Sequence, residues 1–208
     1  AGVNADIGVP IGHWRSVGHS FQAFFLEAWI DELAHAAGRD SAEFRLALLK
    51  DQPRYRAVLQ LALDQAGYGK PLPQGHAHGI ALAESFGSIV AQVVEVSLTN
   101  DKAIRVHRVV CAIDCGFALQ PDTVRQQIEG SVVFGLSAAL YGDIEIRQGQ
   151  VQQSSFSDYQ LLKMADAPEV ETHIVPSAEA PGGVGEPGVP PVAPAVANAL
   201  FKLTGKRL

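Results

Sequence analysis

The spacing of apolar residues changes near residue 70, and this change limits the fold more than any other feature of the chain. Before it, apolar side chains recur every three or four residues, as in an amphipathic helix. After it, small or β-branched apolar residues alternate with polar ones, as in a strand with one buried face. A chain that is first helical and then rich in strands predicts an α+β fold, with helices packed against a mixed sheet.

Three helices are predicted before the change, over Phe21–Ala37, from Asp40–Glu43 onward, and over Arg54–Gln65. Ser20 is the expected N-cap of the first helix, and Asp40 opens the second in the form of a capping box. Gly67 is expected to end the third helix.

Strands and two further helices are predicted after the change. The strands cover Gly79–Glu84, Ser88–Leu98, Ile104–Ile113 and Glu169–Val175, with a small hairpin around Gln148-Gly149. The helices cover Thr123–Tyr141 and Pro190–Leu203. We interpret residues 1–208 as one domain, with an α-rich segment over residues 20–67 and a β/α segment over residues 76–208.

Composition argues against several classes of protein. Apolar residues make up 47% of the chain and charged residues 18%, which is a globular composition. A formal net charge of −6 argues against a nucleic-acid partner, because phosphate binding needs a concentrated basic surface. No apolar run approaches the ~20 residues of a membrane span. No signal peptide is visible at the N-terminus, so either the bacterial cytoplasm or the periplasm remains open as the compartment.

The cysteines and histidines do not predict a metal site. Cys111 and Cys115 lie four residues apart, and packing as small hydrophobic side chains is favoured over redox or metal chemistry. His76 and His78 form a close pair in a predicted linker, without further ligands nearby in sequence.

The stretch from Ala180 to Asn198 has the composition of a ligand-binding loop. Three glycines precede Glu186, prolines follow it, and a helix begins just after. Glycine lets backbone amides approach a ligand closely, and a helix N-terminus adds a partial positive field. A carboxylate confined in this way suits a general base. A rigid turn with an incidental glutamate is the competing interpretation, and the residues alone favour it.

Two other stretches carry polar residues in defined positions. Gln127 and Gly130 lie three apart near the start of a helix, where an amide beside a small face suits a heterocyclic ligand. Helix packing through Gly130 and Gly135 is the favoured alternative. Arg15, in a glycine-flanked loop, is either an anion-binding residue or a surface arginine.

Glu27 and Asp31 lie one turn apart on the first predicted helix. They are expected at a solvated or partner-facing edge, although pairing with cations is an alternative.

Taken together, these stretches resemble the large molybdenum-binding subunit of the xanthine dehydrogenase/aldehyde oxidase family, in particular its isoquinoline 1-oxidoreductase β-subunit branch. The resemblance extends from Trp14–Ser20 to Thr204–Arg207 and thus covers nearly the whole chain. Its most specific part is Gly183–Pro187 followed by Ala193–Ala199.

The resemblance implies a role for each matching residue. Glu186 corresponds to the glutamate beside molybdenum, and Gln127 to the glutamine that hydrogen-bonds the pterin. Arg15 falls in the loop that approaches the sulfur ligands of the metal. The backbone that would line the cofactor is that of Gly183, Val184 and Gly185. Val17 stands where the best-known animal enzymes carry a phenylalanine wall, so their purine specificity is not implied.

The resemblance also implies an activity and partners. The chain would be the C-terminal half of a molybdopterin-binding domain, in an enzyme that hydroxylates N-heterocycles or aldehydes with oxygen from water, with Glu186 as general base. The cofactor would be molybdenum–molybdopterin in its cytosine dinucleotide form, and no residue of this chain is expected to ligate the metal. The expected partners are the N-terminal part of the same subunit and a small iron–sulfur subunit with 2Fe–2S clusters. Alone, the fragment is expected to be inactive.

Two other hypotheses remain. A non-catalytic partner or scaffold domain would keep the fold without the chemistry. An unrelated hydrolase would combine Glu186 with Asp114 or Glu129, and would need the two carboxylates at a defined separation.

Overall fold

The computed structural model describes residues 12–207. Over these residues the helices are α1 (His19–Ala36), α2 (Ser41–Leu48), α3 (Pro53–Ala66), α4 (Pro121–Tyr141) and α5 (Val192–Thr204). The strands are β1 (His76–Ser85), β2 (Ser88–Leu98), β3 (Ile104–Asp114), β4 (Ile146–Arg147), β5 (Gln150–Val151) and β6 (Glu169–Ile174). The predicted α+β class is confirmed, and each predicted element is present to within a few residues.

The main sheet is mixed, with strand order β1-β2-β3-β6. The first three strands are antiparallel neighbours, whereas β6 runs parallel to β3. The remaining two strands, β4 and β5, form the predicted small hairpin.

Both faces of the main sheet are buried. Because side chains alternate along a strand, Val93 and Val110 pack on one face with α2 and α3. Val94 and Val109 pack on the other face with α4 and α5. The α-rich segment therefore shares its apolar core with the sheet.

The two cysteines are free, and both lie in the core beneath α4 and α5. Burial raises the pKa of both thiols, Cys111 and Cys115. Their predicted packing as small hydrophobic side chains is confirmed.

Helix ends confirm two predictions and correct one. Gly67 ends α3 in the left-handed conformation at φ 64°. The carboxylate of Asp40 accepts the backbone N–H groups of Ala42 and Glu43 at 2.8 and 3.1 Å, so the predicted N-cap of α2 is present. Ser20, in contrast, lies inside α1, which begins after Gly18 without a side-chain cap.

The predicted location of the histidine pair was wrong. His76 and His78 lie in β1 and not in a linker. His76 bonds Glu95 at 2.6 Å, and the His78 ring stacks on Tyr68. Both rings therefore have partners within the fold.

The orientation of α1 also corrects a prediction. Glu27 and Asp31 are buried, at 3% and 4% exposure, and not at a solvated edge. Arg45 Nε lies 3.0 Å from Glu27 Oε2, and Arg207 Nη1 lies 2.9 Å from Asp31 Oδ2. The backbone N–H of Leu82 donates to Glu27 Oε2 at 3.0 Å. A buried carboxylate must be paired and hydrogen-bonded, and these contacts attach α1 to α2, β1 and the end of the chain.

No helix within residues 12–207 has the length and apolar character that crossing a membrane requires.

Candidate cofactor-binding and active site

The loop between β6 and α5 crosses the ends of the first three strands. The N–H of Gly182 donates to the carbonyl of Cys115 at 2.9 Å, and that of Gly183 to Phe86 at 2.8 Å. The hydroxyl of Ser88 donates to the Gly183 carbonyl at 2.7 Å. A Cβ atom on Gly182 would lie 2.5 Å from Ser88 Oγ, so only glycine permits this approach.

The second half of the loop is fixed against α4 and β2. The amide of Gln92 donates to the carbonyl of Gly188 at 2.8 Å, inside the core. A Cβ on Gly188 would lie 2.7 Å from Ser131 Cβ. The carbonyl of Glu186 accepts the N–H of Val189 at 3.0 Å. The backbone on both sides of Glu186 is thus held by the scaffold, as positioning of a reacting group requires.

Arg15 connects this loop to α4. Its Nε donates to the carbonyl of Gly185 at 2.8 Å, and its Nη2 donates to the same carbonyl. Nη2 also lies 3.3 Å from Gln127 Oε1 and 2.8 Å from Ser131 Oγ. Burial lowers the pKa of the Arg15 guanidinium, while the nearby carboxylate of Glu186 opposes that shift. Arg15 is therefore half-buried and hydrogen-bonded to the loop and to α4, and it is not a surface arginine.

The carboxylate of Glu186 faces the loop that carries Arg15. The backbone N–H of Ser16 donates to Glu186 Oε1 at 3.3 Å. Ser16 and Val17 have φ values of 74° and 41°, in the left-handed region. A β-branched residue rarely adopts this conformation, and such strain occurs most often at functional sites.

The structure brings four of the predicted site residues together, although they come from three distant parts of the chain. Arg15 contacts both Gln127 and Gly185, and Glu186 follows Gly185 directly. The amide at position 127 and the carboxylate at position 186 thus belong to one cluster. Gly183 lies outside this cluster, earlier in the same loop, where it packs against Phe86.

Val184 packs partly against the main core, so it presents its backbone and not its side chain. The roles implied for these residues remain predictions.

Helix packing was predicted for both glycines of α4, and it holds for Gly135 but not for Gly130. Gly135 is a packing residue, because an added Cβ would lie 2.9 Å from Val192 on α5. Gly130 is exposed, and an added Cβ would have Arg15 Nη1 at 3.9 Å as its nearest neighbour. The small face beside Gln127 therefore borders the site.

A cavity of about 540 Å³ adjoins Arg15, and sequence reasoning missed it. Its walls carry the rings of Trp14, Phe134, Phe156 and Tyr159. Trp14 and Phe134 have ring centroids 4.9 Å apart, and the Arg15 guanidinium lies 5.6 Å from the Phe134 ring. Phe156 and Tyr159 come from an irregular stretch with no periodic pattern, so only the position of Trp14 beside Arg15 could have indicated this wall.

The donors of the site fit an organic cofactor better than a bare metal ion. Within residues 12–207, no group of three or more His, Cys, Asp or Glu side chains could hold a metal. Over the same residues, the N–H groups of Val184, Gly185 and Glu186 donate no hydrogen bond within the chain. Gln127 is exposed, and its Oε1 accepts from Arg15, which leaves Nε2 for a ligand. Neutral N–H donors of this kind suit the carbonyl, ring-nitrogen and phosphate acceptors of a pterin cofactor.

Residues 31–168 match the family of molybdopterin cofactor-binding domains. The chain belongs to this family. The resemblance to the xanthine dehydrogenase/aldehyde oxidase family is thereby confirmed.

Two relatives resemble almost the whole chain. It is 33% identical over 204 residues to isoquinoline 1-oxidoreductase subunit beta of Brevundimonas diminuta, covering 96% of this chain and 26% of that protein. It is 32% identical over 219 residues to a membrane-bound aldehyde dehydrogenase (pyrroloquinoline-quinone) of Gluconacetobacter polyoxogenes, covering 95% of this chain and 28% of that protein. The chain thus spans about a quarter of the length of these curated relatives.

The fold is also similar to that of a solved structure. Aldehyde oxidoreductase from Desulfovibrio gigas superposes with a TM-score of 0.67 at 12% identity, over 94% of this chain and 40% of that chain. At this identity the likeness concerns the fold alone, and it agrees with the α+β class predicted from the sequence.

Proposed function

We propose that this chain is part of the molybdenum-binding catalytic subunit of an oxidoreductase that hydroxylates N-heterocycles or aldehydes with oxygen from water. The observation that carries the proposal is that one guanidinium, that of Arg15, joins the loop of Glu186 to the amide of Gln127. Family membership supports a pterin-bound molybdenum as the cofactor, and we propose its cytosine dinucleotide form.

Gln127, Gly185 and Val184 would hold the cofactor. Gln127 offers Nε2, because Arg15 occupies its Oε1 and so fixes which end of the amide faces outward. Val184 and Gly185 offer backbone N–H groups, and Arg15 holds Gly185 through its carbonyl. The bound cofactor supplies the two-electron chemistry that inserts the oxygen, while the protein supplies position and electrostatics.

Glu186 is the general base in this proposal. The N–H of Ser16 donates to Oε1 and orients the carboxylate. The other oxygen, Oε2, accepts no hydrogen bond from the part of the chain that the structure describes, and can take a proton. A general base must reach the proton it removes with fixed geometry, and the loop contacts provide that constraint.

The aromatic cavity beside Arg15 supports a flat substrate. Rings stack on aromatic walls with offset or edge-on geometry, and Trp14 and Phe134 already lie together here as a tilted ring pair. Val17, which is 39% exposed, offers no ring. An N-heterocycle or an aromatic aldehyde would therefore stack here, and not on the residue at position 17.

Electron transfer would need partners. An iron–sulfur cluster needs cysteine thiolates, whereas Cys111 and Cys115 are both buried in the core. We infer that 2Fe–2S clusters reside on a small iron–sulfur subunit, and that the N-terminal part of the same subunit completes the cofactor site. The chain by itself would then be inactive.

The hydrolase hypothesis loses one of its proposed carboxylates. Asp114 is 2% exposed and bonds Arg54 Nε at 2.8 Å and the Gly116 N–H at 2.9 Å. The carboxylate of Asp114 is therefore buried and paired within the fold, and it does not face a substrate site. A non-catalytic scaffold role remains the competing function, and the experiment below separates it from catalysis.

The test uses the full-length enzyme complex with Glu186→Gln, which keeps shape and removes the base. We expect unchanged molybdenum and pterin content and a kcat lower by about 10²–10⁴-fold. The matched control is Glu179→Gln, the same substitution at an exposed position earlier in the loop. Near-normal kcat in the Glu186 variant would refute the base. Absence of molybdenum and pterin from the unmodified complex would favour the scaffold role.

A further inference from the structure

Helix α1 buries acidic residues and exposes large apolar ones, which is the reverse of an ordinary surface helix. Its buried stripe consists of two alanines, Ala23 and Ala34, and two acids, Glu27 and Asp31. Its large apolar side chains point away from the fold and form what we call the α1 apolar face: Phe21 (58% exposed), Phe25 (68%), Leu26 (57%), Trp29 (58%) and Leu33 (40%).

The α1 apolar face is contiguous. Phe21, Phe25, Trp29 and Leu33 follow one another at four-residue spacing, so they are neighbours along one side of the helix. With Leu26 they span roughly 140° of the circumference at about 100° per residue, a sector that also contains the exposed polar residues Gln22 and Glu32. Contiguous apolar surfaces of this size, with aromatic residues at the centre, mark sites of interaction.

The buried side of α1 makes this face rigid. Glu27 is held by Arg45 at 3.0 Å and by the Leu82 N–H at 3.0 Å. Asp31 is held by Arg207 at 2.9 Å, and the hydroxyl of Ser41 also donates to it. A face fixed in this way binds a partner without the cost of ordering the helix.

The chemistry of the helix argues against a lipid surface as the occupant. Helices that lie on membranes carry lysine and arginine on their polar face. Residues 19–36 contain neither, and their charged residues are Glu27, Asp31 and Glu32.

We propose that the α1 apolar face is the docking surface for the remainder of the same molybdenum-binding subunit, outside residues 1–208. The chain spans 26% and 28% of its curated relatives, so a much longer polypeptide accompanies this fold there. A covalently attached segment meets the face at high effective concentration, and permanent interfaces are more apolar than transient ones. The inference rests on the proposed function only in placing the chain within a longer subunit.

Photo-crosslinking in the full-length complex tests this proposal independently of turnover. The probe p-benzoylphenylalanine replaces Phe25, and the same probe at Gln65, exposed on α3, shows the background. Mixed ¹⁵N-labelled and unlabelled subunits distinguish crosslinks within one copy from crosslinks between copies. We expect crosslinks from position 25 to peptides of the same copy that lie outside residues 1–208. Crosslinks to a second copy, to another subunit, to lipid or within residues 1–208, or none above background, would overturn the proposal.

Hydroxyl-radical footprinting of the unmodified complex covers the case in which the probe disturbs folding. We expect Phe25 and Trp29 to be oxidised several-fold more slowly than their exposure in this structure implies. Oxidation of both at the rate of freely exposed side chains would contradict the proposed interface. Because neither readout depends on catalysis, an inactive complex would still give a result.

Discussion

Replacement of Arg45 by methionine tests the buried charge cluster that orients α1. Arg45 is 2% exposed and donates to the Glu27 carboxylate, to the Glu27 carbonyl and to Ser41. Arg207 still pairs with Asp31 in the variant, but within residues 12–207 the Glu27 carboxylate keeps only the Leu82 N–H. Removing one partner of a buried ion pair costs about 3–5 kcal/mol, and we expect a loss in this range.

The loss should depend on pH. Burial raises the pKa of the Glu27 carboxyl above its ordinary value of 4.5, while Arg45 lowers it. A raised pKa means that the folded state binds the proton more tightly than the unfolded state, so stability from this group falls as pH rises. Without Arg45 that pKa rises further, and the stability deficit of Arg45→Met should therefore be larger at pH 8 than at pH 5.

Urea unfolding of the chain at both pH values measures the two effects. Arg147→Met is the matched control, because Arg147 pairs with Glu145 at an exposed position and its loss should cost at most about 1 kcal/mol. The double variant Glu27→Gln/Arg45→Met should be more stable than Arg45→Met alone, since it buries no unpaired charge. A deficit below about 1 kcal/mol, or one that is equal at pH 5 and pH 8, would show that Arg45 does not stabilise a buried Glu27 carboxylate.

Two further predictions concern the scaffold. Gly79→Ala would place a methyl group 1.9 Å from the carbonyl oxygen of Ala195, so α5 must move away from β1. We expect a loss of about 3 kcal/mol by urea unfolding, whereas Gly12→Ala, in open space, should change little; equal stability of the two variants would contradict the close packing. The Arg54 hydrogen bond holds the pKa of Asp114 below its ordinary value of 3.8, so this pair stabilises the fold above that pH and loses its effect below it. The stability difference between Arg54→Gln and the unmodified chain should be full at pH 7 and shrink at pH 3.5, and a difference that persists unchanged at pH 3.5 would count against this pairing.

The order and type of the elements could be predicted from the sequence because periodicity reports directly on backbone geometry. The strand Ser88–Leu98 was predicted with its observed ends. Periodicity does not reveal which side of a helix faces the core. In α1 the two acids were predicted at a solvated or partner-facing edge, yet Glu27 and Asp31 lie inside, because Arg45 and Arg207 approach them from elsewhere in the chain.

The sequence singled out residues of the candidate site, but it did not indicate how they contact one another. The glycines before Glu186 indicated a constrained loop, and the structure shows why Gly182 is required there. The contact of Arg15 with Gln127 joins residues 112 positions apart, which no local pattern can reveal. The family resemblance placed both residues near a cofactor. The cavity walls at Phe156 and Tyr159 gave no sequence pattern at all.

In the proposed mechanism Glu186 accepts the proton in the chemical step, and the loop contacts of Gly185 and Ser16 hold it in place. Anaerobic single-turnover mixing of the full-length complex with substrate isolates that step from later electron transfer. Rates are normalised to molybdenum content. We predict that the Glu186→Gln complex binds substrate as tightly as the unmodified complex and is reduced about 10²–10⁴-fold more slowly, while the Glu179→Gln complex is reduced at the unmodified rate. Reduction of the Glu186→Gln complex at the unmodified rate would contradict it.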